Sequence, residues 1–368
     1  MFSNKNILLY PVSLIYGLIT GLRNFMFNTE ILKSVEFPLP VICVGNITIG
    51  GTGKTPHTEY IADLLSKHFN VAVLSRGYKR KTEDFIMASP SSTVQEIGDE
   101  PAQIKRKFPD ISVAVDSNRV KGINRILGMR PDTEIIILDD GFQHRKLTPG
   151  FSILLSDFNR PMASDHLIPF GSLREGRHNA RRADIILITK TPAGISPIER
   201  RLIVTDVSKM PYQNLYFTTL KYMEPVPVFE NIPSVFNLGW NSYTGNGAVL
   251  VTGIANPKPL AEHLGKIFSE IIHLPFPDHH DFTGEDVATI SRAWNELKSP
   301  VRYLMTTEKD AMRLRESGKI SEDLKPAFYY IPVCIDFLNN DKEEFDKLII
   351  EYVRKNKRNN GVPEKQGD

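Results

Sequence analysis

Gly50-Gly51-Thr52-Gly53-Lys54-Thr55 follows the apolar run Val41-Ile42-Cys43-Val44 and leads into a stretch with Tyr60, Ile61, Leu64 and Leu65 at helical spacing. A strand, a glycine turn and a helix in that order aim several backbone N–H groups at one point. The helix start adds partial positive charge there. Lys54 is long enough to reach the β- and γ-phosphates of a nucleotide, and the Thr55 hydroxyl suits Mg²⁺. Thr48, Ile49, Gly50, Gly51, Thr52, Gly53, Lys54 and Thr55 are therefore the predicted nucleotide cradle. One position departs from the general P-loop pattern. Thr48 stands where the first glycine belongs, so Gly50 and Gly51 are expected to do the turning.

Outward from this turn the chain alternates short apolar runs with amphipathic ones. Strands are predicted at 41–44, 71–74, 111–115, 135–138, 153–156 and 185–189, with helices at 56–68, 101–108 and 119–127. Four-residue apolar strands between helices predict an α/β fold, P-loop NTPase-like, with a mostly parallel sheet covered by helices on both faces. A Pro-rich connection at 225–239 precedes a smaller C-terminal α/β unit. Its strands are predicted at 248–252, 271–274, 303–306 and 328–333, and its helices at 259–264, 284–297 and 343–354. The expected organisation is an N-terminal apolar helix over 1–30, a P-loop core over 31–225, the second unit over 226–354 and a disordered tail over 355–368.

A chain of 368 residues with 41% hydrophobic and 24% charged residues can bury two cores. A net charge of +2 offers no basis for a nucleic-acid partner. Cys43 and Cys334 each sit in an apolar run and read as buried thiols of a reducing compartment, not as a disulfide. Residues 7–22 contain no charge, and Lys5 and Arg23 bracket them. The run falls short of the roughly 20 residues that span a bilayer. It is read as a monotopic helix on the membrane surface, the other reading being a helix docked on the protein's own core.

Further groups carry chemistry. Glu134–Gly141 is an apolar strand ending in Asp139 and Asp140, where P-loop proteins hold Mg²⁺ directly or through water. One acid can serve the metal and the other Lys54. Asp99, in Gly98-Asp99-Glu100-Pro101, is either a helix cap or a general base for an acceptor hydroxyl. His279, in Pro277-Asp278-His279-His280-Asp281, fits a His–Asp pair better than a zinc site, because no second ligand cluster accompanies it. Arg174, Arg177, Arg181 and Arg182 form either a solvated face or a grip on an anionic headgroup. Ile188-Thr189-Lys190-Thr191-Pro192 begins like a guanine-reading loop but lacks its Asp, which favours ATP.

Taken together, the motifs resemble one family, the tetraacyldisaccharide 4'-kinases (lipid A 4'-kinases). The resemblance rests on Val44–Pro56 with its Thr48, Ser75-Arg76-Gly77-Tyr78, Gly98-Asp99-Glu100-Pro101 and Asp139-Asp140-Gly141-Phe142-Gln143-His144. It continues through Gly171-Ser172-Leu173-Arg174-Glu175, Thr252–Pro257, Phe276-Pro277-Asp278-His279 and Thr307-Glu308-Lys309-Asp310. Gly176 departs from the pattern, where Pro is expected after the Glu. The resemblance implies ATP- and Mg²⁺-dependent phosphorylation of the 4'-hydroxyl of a lipid-linked disaccharide 1-phosphate in lipid A biosynthesis. It also implies a monotopic enzyme on the cytoplasmic face of the inner membrane. By motif position, Lys54 and Thr55 would hold phosphates and Mg²⁺, and Asp139 and Asp140 would serve the metal. Asp99 paired with His279 would deprotonate or orient the acceptor hydroxyl. Arg119, Arg174 and Glu175 would contact the substrate or the transition state.

Two other readings fit a P-loop. A regulatory NTPase switch or metallochaperone would hydrolyse nucleotide without a lipid. A kinase of a soluble small molecule would not need the apolar N-terminus.

Overall fold

Val41 and Cys43 face one apolar cluster while Ile42 and Val44 face another, and Ile135–Leu138 alternates in the same way. Such two-sided burial requires cover on both sheet faces, and it explains why these strands read as continuous apolar runs. The structure is a computed structural model that describes residues 8–229 and 240–359. Chain order runs α1 (Tyr10–Asn28), β1 (Val41–Gly45), α2 (Lys54–Ser66), β2 (Val71–Ser75), β3 (Ile86–Met87), α3 (Val94–Ile97), α4 (Asp99–Lys107), β4 (Ser112–Val115), α5 (Arg119–Met129) and β5 (Ile135–Asp139). Next come β6 (Phe151–Asp157), β7 (Ile185–Thr189), α6 (Pro197–Val207), β8 (Asn214–Tyr222), β9 (Val226–Pro227), β10 (Gly247–Thr252), α7 (Lys258–Leu264) and β11 (Glu270–Pro275). The last are α8 (Gly284–Glu296), β12 (Arg302–Thr307), α9 (Glu308–Ser317), β13 (Phe328–Ile331), β14 (Val333–Phe337) and α10 (Lys342–Asn359).

Nine strands form the larger sheet in the order β14-β8-β7-β6-β1-β5-β2-β4-β3, parallel except for β14 against β8 and β3 against β4. The smaller sheet is β11-β10-β12-β13-β9, with only β9 antiparallel. Ile61, Ala62 and Leu65 of α2 cover one face of the large sheet, together with Phe345, Ile349 and Val353 of α10. Ile123 and Ile126 of α5 cover the other.

Several elements differ from expectation. The apolar run at 328–333 is not one strand. Pro332 has no N–H to give a ladder, and the chain breaks there, β13 joining the small sheet and β14 the large one. The 225/226 division therefore does not follow the sheets, since β14 and α10 pack with the P-loop core. The two crossings between the sheets run side by side, tied by Met223 N–H to the Pro332 carbonyl at 2.9 Å. The last helix continues to Asn359, past the expected end at 354. The rest of the predicted tail, and residues 230–239 of the predicted connection, lie outside the described residues. Cys43 is buried, but Cys334 is only half-buried, its Sγ 3.2 Å from Met223 Sδ.

The N-terminal helix is inverted relative to the core helices. Its polar side faces the protein: Ser13 Oγ donates to the Leu167 carbonyl, Tyr16 to the Arg174 carbonyl, Arg23 to the Gln143 carbonyl and Asn24 to Glu175. Leu14, Ile15, Leu18, Ile19, Leu22 and Phe25 are exposed. Among the described residues, no helix is long and apolar enough to cross a membrane.

Candidate active site

The turn after β1 is shaped by two glycines with left-handed backbone, Gly50 (φ 102°) and Gly53 (φ 85°). The latter directly precedes α2, which begins at Lys54, two residues earlier than expected. Gly51 does not take a positive φ, but nothing lies within 4 Å of where its Cβ would sit, so the backbone there is open to a bound anion. Thr48 is not a failed glycine. It sits in an isolated antiparallel bridge with Leu173, flanked by Ile49 N–H to the Ser172 carbonyl and Arg174 N–H to the Ile47 carbonyl, both at 2.7 Å. An extended, bridged position does not call for glycine. Thr52 closes the turn, accepting from Asn46 Nδ2 at 2.8 Å, while its carbonyl accepts from Thr189 Oγ1 at 2.8 Å. His57, on the first turns of α2, spans from the Gly53 carbonyl (2.7 Å) to Thr218 Oγ1 on β8 (2.9 Å). Burial pushes its pKa down to about 4, so the ring is neutral.

Because β1 and β5 are adjacent and parallel, the end of β5 delivers its acids beside the glycine turn. Both Asp139 oxygens are occupied, by Thr58 Oγ1 and Ser75 Oγ, each at 3.2 Å. Burial, then the neighbouring Asp140 and Glu100, push its pKa up to about 6 against Lys54 and the Ser75 bond. Asp140 takes φ 53° and turns outward. Its Oδ1 lies 3.8 Å from Lys54 Nζ, is buried and accepts no hydrogen bond. Its Oδ2 is 3.3 Å from Arg174, which also reaches Gln143 Oε1. An orphaned carboxylate oxygen beside the lysine of an anion turn fits a hard cation, and the Thr55 hydroxyl begins the same helix.

Asp99 is the first residue of α4, set by Gly98 (φ 91°), and is not in a loop before the helix. It is 1% exposed and occupied on both oxygens. Arg313 of α9 donates Nε to Oδ1 at 2.6 Å and Nη2 to Oδ2 at 2.7 Å, and His279 Nδ1 lies 2.5 Å from Oδ2. Burial pushes the Asp99 carboxyl up, but the bonds from His279 and Arg313, aided by Lys309, outweigh it and leave it below its usual range. His279 itself takes φ 64° and turns Nε2 away from Asp99, 3.1 Å from Lys309 Nζ, with the Tyr78 ring beside it. Asp99, Glu100 and His279 cluster closely enough to hold a metal ion. Lys309 and Arg313 already supply positive charge there, so the group is a cation-bridged network.

Arg119 and Glu175 stand apart from this open chemistry. Arg119 is buried and donates to the Asp116 carbonyl at 2.6 Å and to those of Asp139 and Asp140 at 3.3 and 3.5 Å, so it props up the strand end. Glu175 is buried against Arg182 (2.7 Å) and Asn24 (3.0 Å), anchoring α1. Of the predicted arginines, Arg174 reaches Asp140, Arg177 donates to the Ala163 carbonyl, and Arg182 lies over Phe142. His280 binds Asp286 in a helix cap and is not part of the Asp99 pair. Sequence reasoning missed His57, Thr58 and Arg313. The only local signal for Arg313 was its position four residues after Lys309, one helical turn along the same face.

A mostly parallel sheet with an anion turn after one strand and an acid pair at the end of its neighbour defines a P-loop nucleotide-binding protein. The family described as LpxK, tetraacyldisaccharide-1-P 4'-kinase, matches residues 5–354. The tetraacyldisaccharide 4'-kinase of Bacteroides thetaiotaomicron is 44% identical over 364 residues, covering 97% of this chain and 96% of that protein. The tetraacyldisaccharide 4'-kinase of Phocaeicola vulgatus is 47% identical over 355 residues, covering 95% and 96%. The crystal structure of Aquifex aeolicus LpxK in complex with ATP is similar with a TM-score of 0.71 at 28% identity, over 95% of this chain and 99% of that one. The chain belongs to the tetraacyldisaccharide-1-P 4'-kinase family, and it is an ATP-dependent kinase.

Proposed function

We propose that this kinase transfers the γ-phosphoryl group of ATP, with Mg²⁺, to the 4'-hydroxyl of tetraacyldisaccharide 1-phosphate in lipid A biosynthesis. The observation that carries the reading is the convergence of two devices on one set of strand ends. Ser75 at the end of β2 donates to Asp139, and two residues on Gly77 packs against the Ile97 carbonyl, directly ahead of Gly98 and Asp99. Lys54 and the open turn around Gly51 hold the β- and γ-phosphates. Asp140 and Thr55 are the residues to hold Mg²⁺, with Asp139 fixing the strand end behind them. The ion, when bound, neutralises phosphate charge.

The chemistry on the acceptor side is a proton removal timed to phosphoryl transfer. Asp99 cannot meet the sugar, since its oxygens are already shared by Arg313 and His279. His279 Nε2 takes the hydroxyl proton once the acceptor displaces Lys309, whose Nζ lies 3.1 Å away and also pairs with Glu100 at 3.2 Å; Nδ1–H points at Asp99, and the carboxylate stabilises the imidazolium that forms. The acceptor oxygen forms its bond to the γ-phosphorus as the bond to the bridging oxygen breaks, and ADP leaves. Arg174 is the group best placed to meet developing negative charge, whereas Arg119 and Glu175 act by holding the frame. The exposed apolar side of α1 lies on the cytoplasmic face of the inner membrane, bringing the site to a lipid acceptor.

The test is transfer of labelled γ-phosphate to tetraacyldisaccharide 1-phosphate by folded protein in detergent. Absence of a phosphorylated lipid sinks the reading, as does turnover unaffected by chelating Mg²⁺.

A further inference from the structure

We infer that Arg313 is a positioning residue for this reaction, the group that keeps Asp99 ionised and aimed at His279. The inference rests on the Asp99–His279 reading above. Two other inward-facing arginines, the buried Arg119 and the half-buried Arg182, bond mainly to their surroundings. Arg119 donates to the carbonyls of Asp116, Asp139 and Asp140, and Arg182 ties Glu175 to the Phe142 carbonyl. The partners of Arg313 are of another kind. Its Nε and Nη2 form a fork on the two oxygens of Asp99, and Nη2 also lies 3.3 Å from His279 Nδ1. Nη1 is buried and makes no hydrogen bond, its nearest acid being the exposed Asp281 at 4.0 Å. No backbone carbonyl accepts from this side chain among the described residues, so it serves the dyad and no helix end or loop.

The fork is itself held rigidly. Thr307 caps α9, accepting from Asp310 N–H at 3.1 Å, and Asp310 Oδ2 accepts from Gly253 N–H at 2.8 Å, pinning the helix start to the end of β10. From that anchored turn Lys309 and Arg313 project one helical turn apart onto Asp99. A planar guanidinium gripping a carboxylate through two bonds sets its plane as well as its charge, which a point charge does not. Asp99 would otherwise be a carboxyl buried in a low-dielectric site, where the neutral form is favoured. The ionisable groups around it are His279 and Asp278 from the loop after β11, Lys309 and Arg313 from α9, Glu316 further along α9, and its neighbour Glu100. Removing Arg313 takes away the positive charge forked onto Asp99, so the buried carboxylate takes up a proton more easily. That moves the acid limb of activity to higher pH.

The experiment is a pH–rate profile of the full chain in detergent with MgATP and tetraacyldisaccharide 1-phosphate, for the unaltered protein, Arg313→Gln, Arg313→Lys and Asp99→Asn. Arg313→Gln should lower kcat roughly 10²-fold at neutral pH and leave KM for ATP within about twofold. Its acid limb should rise by about one pH unit or more, so the deficit shrinks as pH increases. Arg313→Lys, which keeps a charge but not the fork, should fold even where the Gln variant does not and give a smaller shift in the same direction. A uniform fall in kcat at all pH values with an unmoved acid limb, in whichever variant folds, overturns the inference. Asp99→Asn separates the two claims. If it keeps near-normal turnover, the dyad reading itself fails; if it is inactive while the Arg313 variants show an unmoved limb, only the role of Arg313 fails.

Discussion

Lys54 and Asp140 meet across two adjacent parallel strands, whereas Asp99 reaches His279 across 180 positions of sequence and Arg313 across 214. The first end of the site is a local device. A glycine turn, a helix start and a strand end produce it wherever a parallel sheet sets β1 beside β5. The second end is assembled. The carboxylate comes from the large sheet's unit, while the imidazole and the guanidinium come from the small one. The local end depends on backbone geometry that few substitutions disturb. The assembled end depends on two units staying packed through pairs such as Arg313 on Asp99 and Lys107 on Glu59 and Glu308.

The largest effect should come from the local end. Lys54→Met removes the cation beside Asp140 and should cost about 10³-fold in kcat in the labelled-phosphate assay. A loss under about tenfold would mean that the turn does not hold the transferred phosphate. At the assembled end, His279→Ala and Asp99→Asn should each cost roughly 10²-fold, with KM for ATP little changed. The double variant should be no worse than the poorer single one, because the pair acts as a unit. Fully additive losses would mean that the two groups work separately.

A smaller effect distinguishes the ends by pH. His57 locks the turn to β8 as a neutral ring, its pKa pushed down by burial to about 4. The unfolded state takes up a proton near pH 6.5 while the folded state does not, so stability falls as pH drops from about 6.5 to about 4. The slope approaches roughly 1.4 kcal/mol per pH unit for this group. His144, pushed down to about 4 by burial and then by Arg119 and other nearby cations, adds a smaller contribution, because it is only half-buried and solvent screens it. His57→Gln should flatten part of that slope in urea midpoints measured across the window. An unchanged slope would place the acid sensitivity elsewhere. The smallest stability change belongs to the exposed side of α1. Leu18→Asp should shift unfolding by under about 0.5 kcal/mol yet weaken binding to phospholipid vesicles. Asn24→Ala, on the inner side of the same helix, should cost about 1 kcal/mol by removing one of the two bonds to Glu175 Oε2, Arg182 keeping the other. Equal costs for the two would refute the inverted arrangement of the helix.

Much of the architecture was legible because its signals are local. Apolar runs of four or five residues marked β1, β2, β4, β5, β6, β7, β10, β11 and β12, since strands buried on both faces carry no polar alternation, and the partly buried edge strand β11 keeps an apolar run as well. The turn and the Asp139–Asp140 pair could be read for the same reason. The run at 328–333 misled, because one apolar stretch serves two sheets and only Pro332 marks the break. β8 went unseen because its outer half is only partly buried and mixes Thr, Lys and Tyr with apolar residues. Charge misled as well: Arg119 and Glu175 were assigned to the substrate but spend their hydrogen bonds on carbonyls, on Arg182 and on α1. Arg313 sat outside every motif considered.

The anion turn, its helix, the acids at the neighbouring strand end and an apolar N-terminal segment can all be read from residues close together in the chain, where backbone freedom, periodicity and charge act directly. Which side of α1 faces outward, why Thr48 needs no glycine, and that Asp99 is held between His279 and Arg313 became visible only in the folded chain. Those outcomes depend on groups brought together by packing two sheets, and no local pattern encodes which distant side chain will fill a buried carboxylate's last open bond.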